Sequence, residues 1–169
     1  IDDLAEHPGN IWFVDSTHAG AGDTVGHGQD PDTPFATLAY AFSSDRVTSG
    51  DVVYVMPRHA ETVNAAGDIT MDIAGVTVIG LGKGSSRPTF TFATDTAATW
   101  LITAESITVD NVLITVTGTI DVANAITVTG ADCTLNDIEI RDSASTSQFG
   151  DPIIISTGGA RAKVHNYIC

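Results

Sequence analysis

From residue 69 onward the chain alternates apolar and polar side chains in runs of only a few positions. These are Ile69-Thr-Met71, Val76-Thr-Val78, Thr89-Phe-Thr-Phe92, Trp100-Leu-Ile102, Ile107-Thr-Val109, Val112-Leu-Ile114, Ala125-Ile-Thr-Val128, Cys133-Thr-Leu135, Ile138-Glu-Ile140, Ile153-Ile-Ile155 and Val164 to Cys169. A period of two predicts strands with one buried face, and the Gly, Asn, Asp or Ser residues between the runs predict tight corners. The segment Ile107 to Ile114 superposes on Cys133 to Ile140 and on Ala162 to Cys169, and Val76 to Leu81 is a partial earlier copy. Passing from Val76 to Ile107, Cys133 and Ala162 gives offsets of 31, 26 and 29 residues. That is a solenoid period.

Inside each copy a polar pair separates two short apolar runs: Asp110-Asn111, Asn136-Asp137 and His165-Asn166. Asn and Asp tolerate left-handed backbone and bond their own main chain, so the pair predicts a corner between strands. Ile107, Val109, Val112, Ile114 and their equivalents should then point into a shared core, with Thr108, Thr134 and Lys163 outward. Each coil leaves backbone groups that only the next coil can satisfy, so the expected fold is a stack.

The first third is patterned differently. Ile11-Trp-Phe-Val14 predicts a strand, His18 to Gln29 a Gly-rich loop, and Asp32-Thr33 followed by Pro34 a helix start, with Phe35, Leu38, Ala39 and Phe42 on one face. Gly50-Asp51 closes that segment and Val52 to Met56 begins the first coil. The expected organisation is one continuous domain: strand, loop and capping helix over 1–50, then coils over 51–169.

Composition agrees: Thr, Val and Ile are abundant, which favours strands. Twenty-one acidic against seven basic residues give a net charge of −14. That charge repels a phosphate backbone and anionic lipid, so neither nucleic acid nor membrane is expected as a partner. Two cysteines are too few for a disulfide framework and lack metal-ligand spacing; Cys133 stands where the repeat has an aliphatic core residue. The opening Ile1-Asp2-Asp3-Leu4 carries no initiator Met and no signal-peptide pattern, which fits either processing or omission of earlier residues.

Gly9 to Asp15, Gly28 to Leu38 and Gly50 to Val55 resemble the strand, capping helix and first coil of right-handed parallel β-helices of the pectin-lyase-like type. The stretch Ala74 to Gly82 through Arg87-Pro-Thr-Phe90 is similar to β-helix proteins of tailed bacteriophages. The resemblance implies an all-β solenoid, and in phages that fold commonly serves tailspikes, fibres and capsid decoration. Enzymes of the fold cleave polysaccharides with carboxylates, bound Ca²⁺ and an Arg or Lys base, or with paired carboxylates. Such a site needs acids stacked on successive coils of one face.

The acids available for such a face are Asp72, Asp110, Asp137 and Asp142, and the cations Arg87, Arg141 and Arg161. The nearest approach to a catalytic set is Asp110, Asp137 and Arg141, although turn chemistry accounts for both acids. Asp30 and Asp32 are the nearest approach to a metal site, and helix capping accounts for them as well. His18 and His27, with Asp15, Asp23 and Asp30 near them, match no zinc or EF-hand spacing. His59 has no partner at a recognisable spacing and is expected at the surface. No cofactor is expected.

The reading is therefore a virion structural protein, a capsid decoration, cement or fibre subunit, bound to other virion proteins and assembled as a homo-oligomer, with a trimer favoured. The alternative is a carbohydrate-active β-helix, such as a tailspike depolymerase or polysaccharide lyase, acting on surface glycans. Val164 to Cys169 forms the apolar half of a coil, so either the chain continues or another chain covers that end.

Overall fold

A computed structural model describes residues 9–168; the opening Ile1-Asp2-Asp3-Leu4 and Cys169 lie outside the described residues. Short alternating runs stack as parallel strands into a β-solenoid of about four coils. Strand β1 (Ile11–Val14) precedes the first coil, which is β2 (Val52–Val55), β3 (Ala60–Val63) and β4 (Ala66–Met71). The second is β5 (Thr77–Gly80), β6 (Thr89–Phe92) and β7 (Thr99–Ile102). The third is β8 (Thr108–Val116) and β9 (Asp121–Val128), the fourth β10 (Thr134–Arg141) and β11 (Gln148–Ile155), and β12 (Lys163–His165) opens a fifth.

The coil has three faces. On the first, β1, β2, β5, β8, β10 and β12 lie side by side, with Val52, Thr77, Thr108, Thr134 and Lys163 in register. The last three steps reproduce the spacing of the sequence repeat. On the second, β3 and β6 continue into the far halves of β8 and β10. The third is β4, β7, β9 and β11. All these pairings are parallel, so each coil satisfies the backbone of the one before it.

Two corners per coil rest on left-handed backbone. Asn111 (φ 58°), Asp137 (49°) and Asn166 (49°) form one column, and each is the second residue of the polar pair. Gly50, Gly75, Ser106, Asp132 and Arg161 form another, all with positive φ. At this second corner, where the third face returns to the first, the hydroxyls of Thr103, Thr129 and Ser156 donate to the carbonyls of Met71, Ile102 and Val128, each on the preceding coil.

The core is built of inward columns such as Ile69, Trp100, Ile126 and Met71, Ile102, Val128, all 0 or 1% exposed. In β11 the next members are Ile153, half-buried, and Ile155, 45% exposed. Val164 and Ile168 are also exposed on the last described coil.

The opposite end is closed. Phe13 N donates to Gly28 O at 2.7 Å, Phe35 N to Phe13 O at 2.9 Å and Asp15 N to Phe35 O at 2.9 Å, so the outer edge of β1 has partners. Helix α1 (Leu38–Ser43) adds Leu38, Ala41 and Phe42 to the core. The helix starts later than Asp32, Thr33 and Pro34 predict: its N-cap is Thr37, whose hydroxyl accepts from Tyr40 N. The reason is Phe35, which bridges Val14 in parallel and stacks its ring on Trp12 at 5.5 Å, holding the preceding backbone against β1.

Candidate functional site

The densest polar chemistry lies where the N-terminal segment meets the first coil. Asp51 occupies the inward column of Val76, Ile107 and Cys133, and it is fully buried. One carboxylate oxygen accepts from Asn10 N at 2.6 Å and the Asn10 amide. The other accepts from Trp12 Nε1 at 2.7 Å, Thr48 N at 2.8 Å and the Thr48 hydroxyl. Glu61 sits in the inward column of Phe90, Ile114 and Ile140, and accepts from Leu38 N at 2.7 Å and Ala39 N at 3.1 Å at the start of α1. Asp23 accepts from Ala36 N, Thr37 N and the Thr37 hydroxyl.

His59 is buried, at 1% exposure, and not at the surface where the sequence places it. Its Nδ1 accepts from Ser16 N at 3.0 Å, so the ring proton sits on Nε2, which donates to Glu61 at 3.1 Å. The carboxylate that explains the burial is two residues along the same chain turn. Ser16, His59 and Glu61 have the composition of a nucleophile triad but not its wiring. The Nδ1 lone pair that would take a hydroxyl proton is occupied by a backbone N–H, and the Ser16 hydroxyl accepts from Ala60 N.

The sequence candidates fall elsewhere. Asp110 accepts from the Asn136 amide at 2.8 Å on the next coil, and Asp137 lies at the left-handed corner beside it. Arg141 pairs with Glu139 at 2.5 Å, and Glu139 also takes Arg87 at 2.8 Å, which reaches over the intervening coil. Asp142 accepts from Phe149 N, and Arg161 pairs with Asp132. Hydrogen bonding to Arg161 holds Asp132 below the usual carboxylate range and raises Arg161 in turn. Asp30 accepts from Asp32 N at 2.9 Å in a turn, His18 from Gly20 N, and His27 shares a hydrogen bond with Thr24. Asp72 is exposed at the end of β4. Cys133 is a core residue whose thiol burial pushes up.

Among the described residues no three His, Cys, Asp or Glu side chains gather as an ion site, no pocket forms, and no helix is long and apolar enough to cross a membrane. The first face carries the other notable feature. Its outward positions on β1, β2 and β5 are Ile11, Phe13, Val52, Tyr54, Thr77 and Ile79, with Ile11 49% exposed and Phe13 stacked on Tyr54 at 6.1 Å. On β8, β10 and β12 the same positions are Thr108, Asp110, Thr134, Asn136, Lys163 and His165. One half of the face is apolar and the other polar. No family model, curated protein or solved structure matches the chain.

Proposed function

We propose that the chain is a structural subunit that works by binding: a virion protein of the capsid-decoration, cement or fibre kind, whose copies associate side by side, with a trimer favoured. The observation that carries this reading is the apolar half of the first face, where five of six outward positions on three adjacent strands are Ile, Phe, Val, Tyr and Ile. Outward sheet positions meet water unless something covers them, and contiguous apolar surface marks a contact site. A second copy suits it on charge grounds. Two chains of net charge −14 repel each other, and this patch bears no charge of its own.

Three strands about 4.8 Å apart, with two outward residues each, make a patch of roughly 200 Å². A stable interface needs about 800 Å² per partner, so the patch would be the core of a contact whose rim is polar. The virion setting rests on the resemblance of residues 74–90 to phage β-helix proteins, and the pectin-lyase-like type on that of the capping segment and first coil. Charged side chains along the outer faces, Arg87 with Glu139 and Arg161 with Asp132, tie coil to coil and suit a rigid scaffold.

Sedimentation of the purified chain and its recovery with intact particles test the reading. An oligomer that Tyr54→Lys converts to folded monomer, with particle binding retained in the parent, is the expected result. A monomer at all concentrations, or cleavage of acidic polysaccharide by the chain, would overturn it.

A further inference from the structure

We propose that residues 9–50 form an acid-releasable cap on the solenoid, held by Asp23, Asp51 and Glu61 acting purely as hydrogen-bond acceptors. This does not depend on the assembly reading. The three carboxylates are side-chain ties added to the β1–β2 backbone ladder: Asp51 and Glu61 join the N-terminal segment to the first coil, and Asp23 acts within that segment at the start of α1. Every group bonded to them donates: backbone N–H of Asn10, Ala36, Thr37, Leu38, Ala39 and Thr48, the Asn10 amide, the Trp12 indole, the His59 ring, and the Thr37 and Thr48 hydroxyls, whose protons go to Asp23 and Asp51. A protonated carboxyl must itself donate: at Glu61 every bonded neighbour is an N–H donor, and at Asp23 and Asp51 only a Thr hydroxyl could turn to accept while the N–H donors could not. A proton on one oxygen therefore disturbs the bonds which that oxygen accepts, two or three at Asp51, and leaves N–H groups at the cap without partners.

The neighbouring charged and titratable groups are few. His59 faces Glu61, the His27 ring lies against Gly22 next to Asp23, and the Arg46 guanidinium stands 6.0 Å from the Trp12 ring beside Asp51. A proton on Nδ1 of His59 strengthens its attraction to Glu61 but abolishes the bond from Ser16 N, a second tie to the N-terminal segment. The coils beyond the first are held by backbone ladders and an apolar core, with their ion pairs Arg87–Glu139 and Arg161–Asp132 outside it, and among the described residues the buried carboxylates are Asp51 and Glu61, both at the cap. Acid thus acts on the cap before the stack. Release uncovers the β2 edge with Val53 and Val55, which are fully buried while the cap is on.

The chain's two tryptophans report the two parts separately: Trp12 belongs to the cap and Trp100 to the coil core. Trp12 is followed in Trp100→Phe and Trp100 in Trp12→Phe, by iodide quenching as the pH is lowered. Quenching of Trp12 should rise several-fold at a pH where Trp100 is still protected, and Asp23→Asn with Glu61→Gln should expose Trp12 already at neutral pH. Pulsed hydrogen exchange on the unmodified chain gives the same comparison between residues 10–48 and 107–140 without touching the core. Loss of protection in both regions at one pH, or a Trp12 transition unmoved by the double substitution, overturns the proposal.

Discussion

Asn111 carries more of the fold than its polar side chain suggests. Its backbone is left-handed, and its amide donates to the carbonyls of Gly80 at 2.6 Å and Gly82 at 3.0 Å on the coil before. Asn111→Ala should cost about 2–3 kcal/mol, from two net hydrogen bonds of about 1 kcal/mol and the left-handed penalty of a residue that cannot bond locally. Urea unfolding measures it. Ser106 is the reverse case: it holds φ 59° in the column that Gly50 and Gly75 fill, so Ser106→Gly should be neutral to stabilising by up to about 1 kcal/mol. Asp132 sits in the same column with a lowered proton affinity. Its tie to Arg161 is present above the unfolded carboxylate's value and is lost as pH falls through the lower folded value. Both groups are solvent-exposed, so Asp132→Asn should lower stability slightly at neutral pH, and the difference from the parent should vanish as pH falls below the folded value, as urea unfolding across pH would measure.

At the scale of elements, coil spacing leaves no slack at the corner where the third face returns to the first. A Cβ on Gly130 would run into the carbonyl oxygen of Ala104, and Gly130 is buried, so Gly130→Ala should destabilise by about 1–3 kcal/mol in the same unfolding assay. Strands that pack apolar columns were legible because alternation survives in them: Ile107, Val109, Val112 and Ile114 are buried as their spacing predicts. The Asp110-Asn111 corner was legible for the same reason. Strand β3 was hidden because its inward position is Glu61, and a charged residue in a core column erases the period-two signal. His59 was misplaced for a linked reason, since its burial depends on that same carboxylate. The helix start was misread because Phe35 is apolar and correctly spaced for α1, yet its ring is claimed by Trp12. Of the candidate site, the column placement of Asp110 and Asp137 was visible. The buried acceptors were not, because Asp51 and Glu61 become meaningful only when α1 and residues 10–12 are brought to them.

For the whole molecule, closure at one end and in-register ladders elsewhere have a mechanical meaning. The hydrogen bonds between coils run along the solenoid axis, perpendicular to the strands. Tension applied along that axis meets the ladders one after another, so they bear load in series and the weakest opens alone. Single-molecule pulling between the ends of the described residues should release the chain in steps of one coil, of 25, 31, 26 and 29 residues by register, or about 9–10 nm of extended chain each. Force across the axis is instead divided among all the coils. Such a body is stiff against bending and shear yet peels readily from its ends, as a stack of plates does.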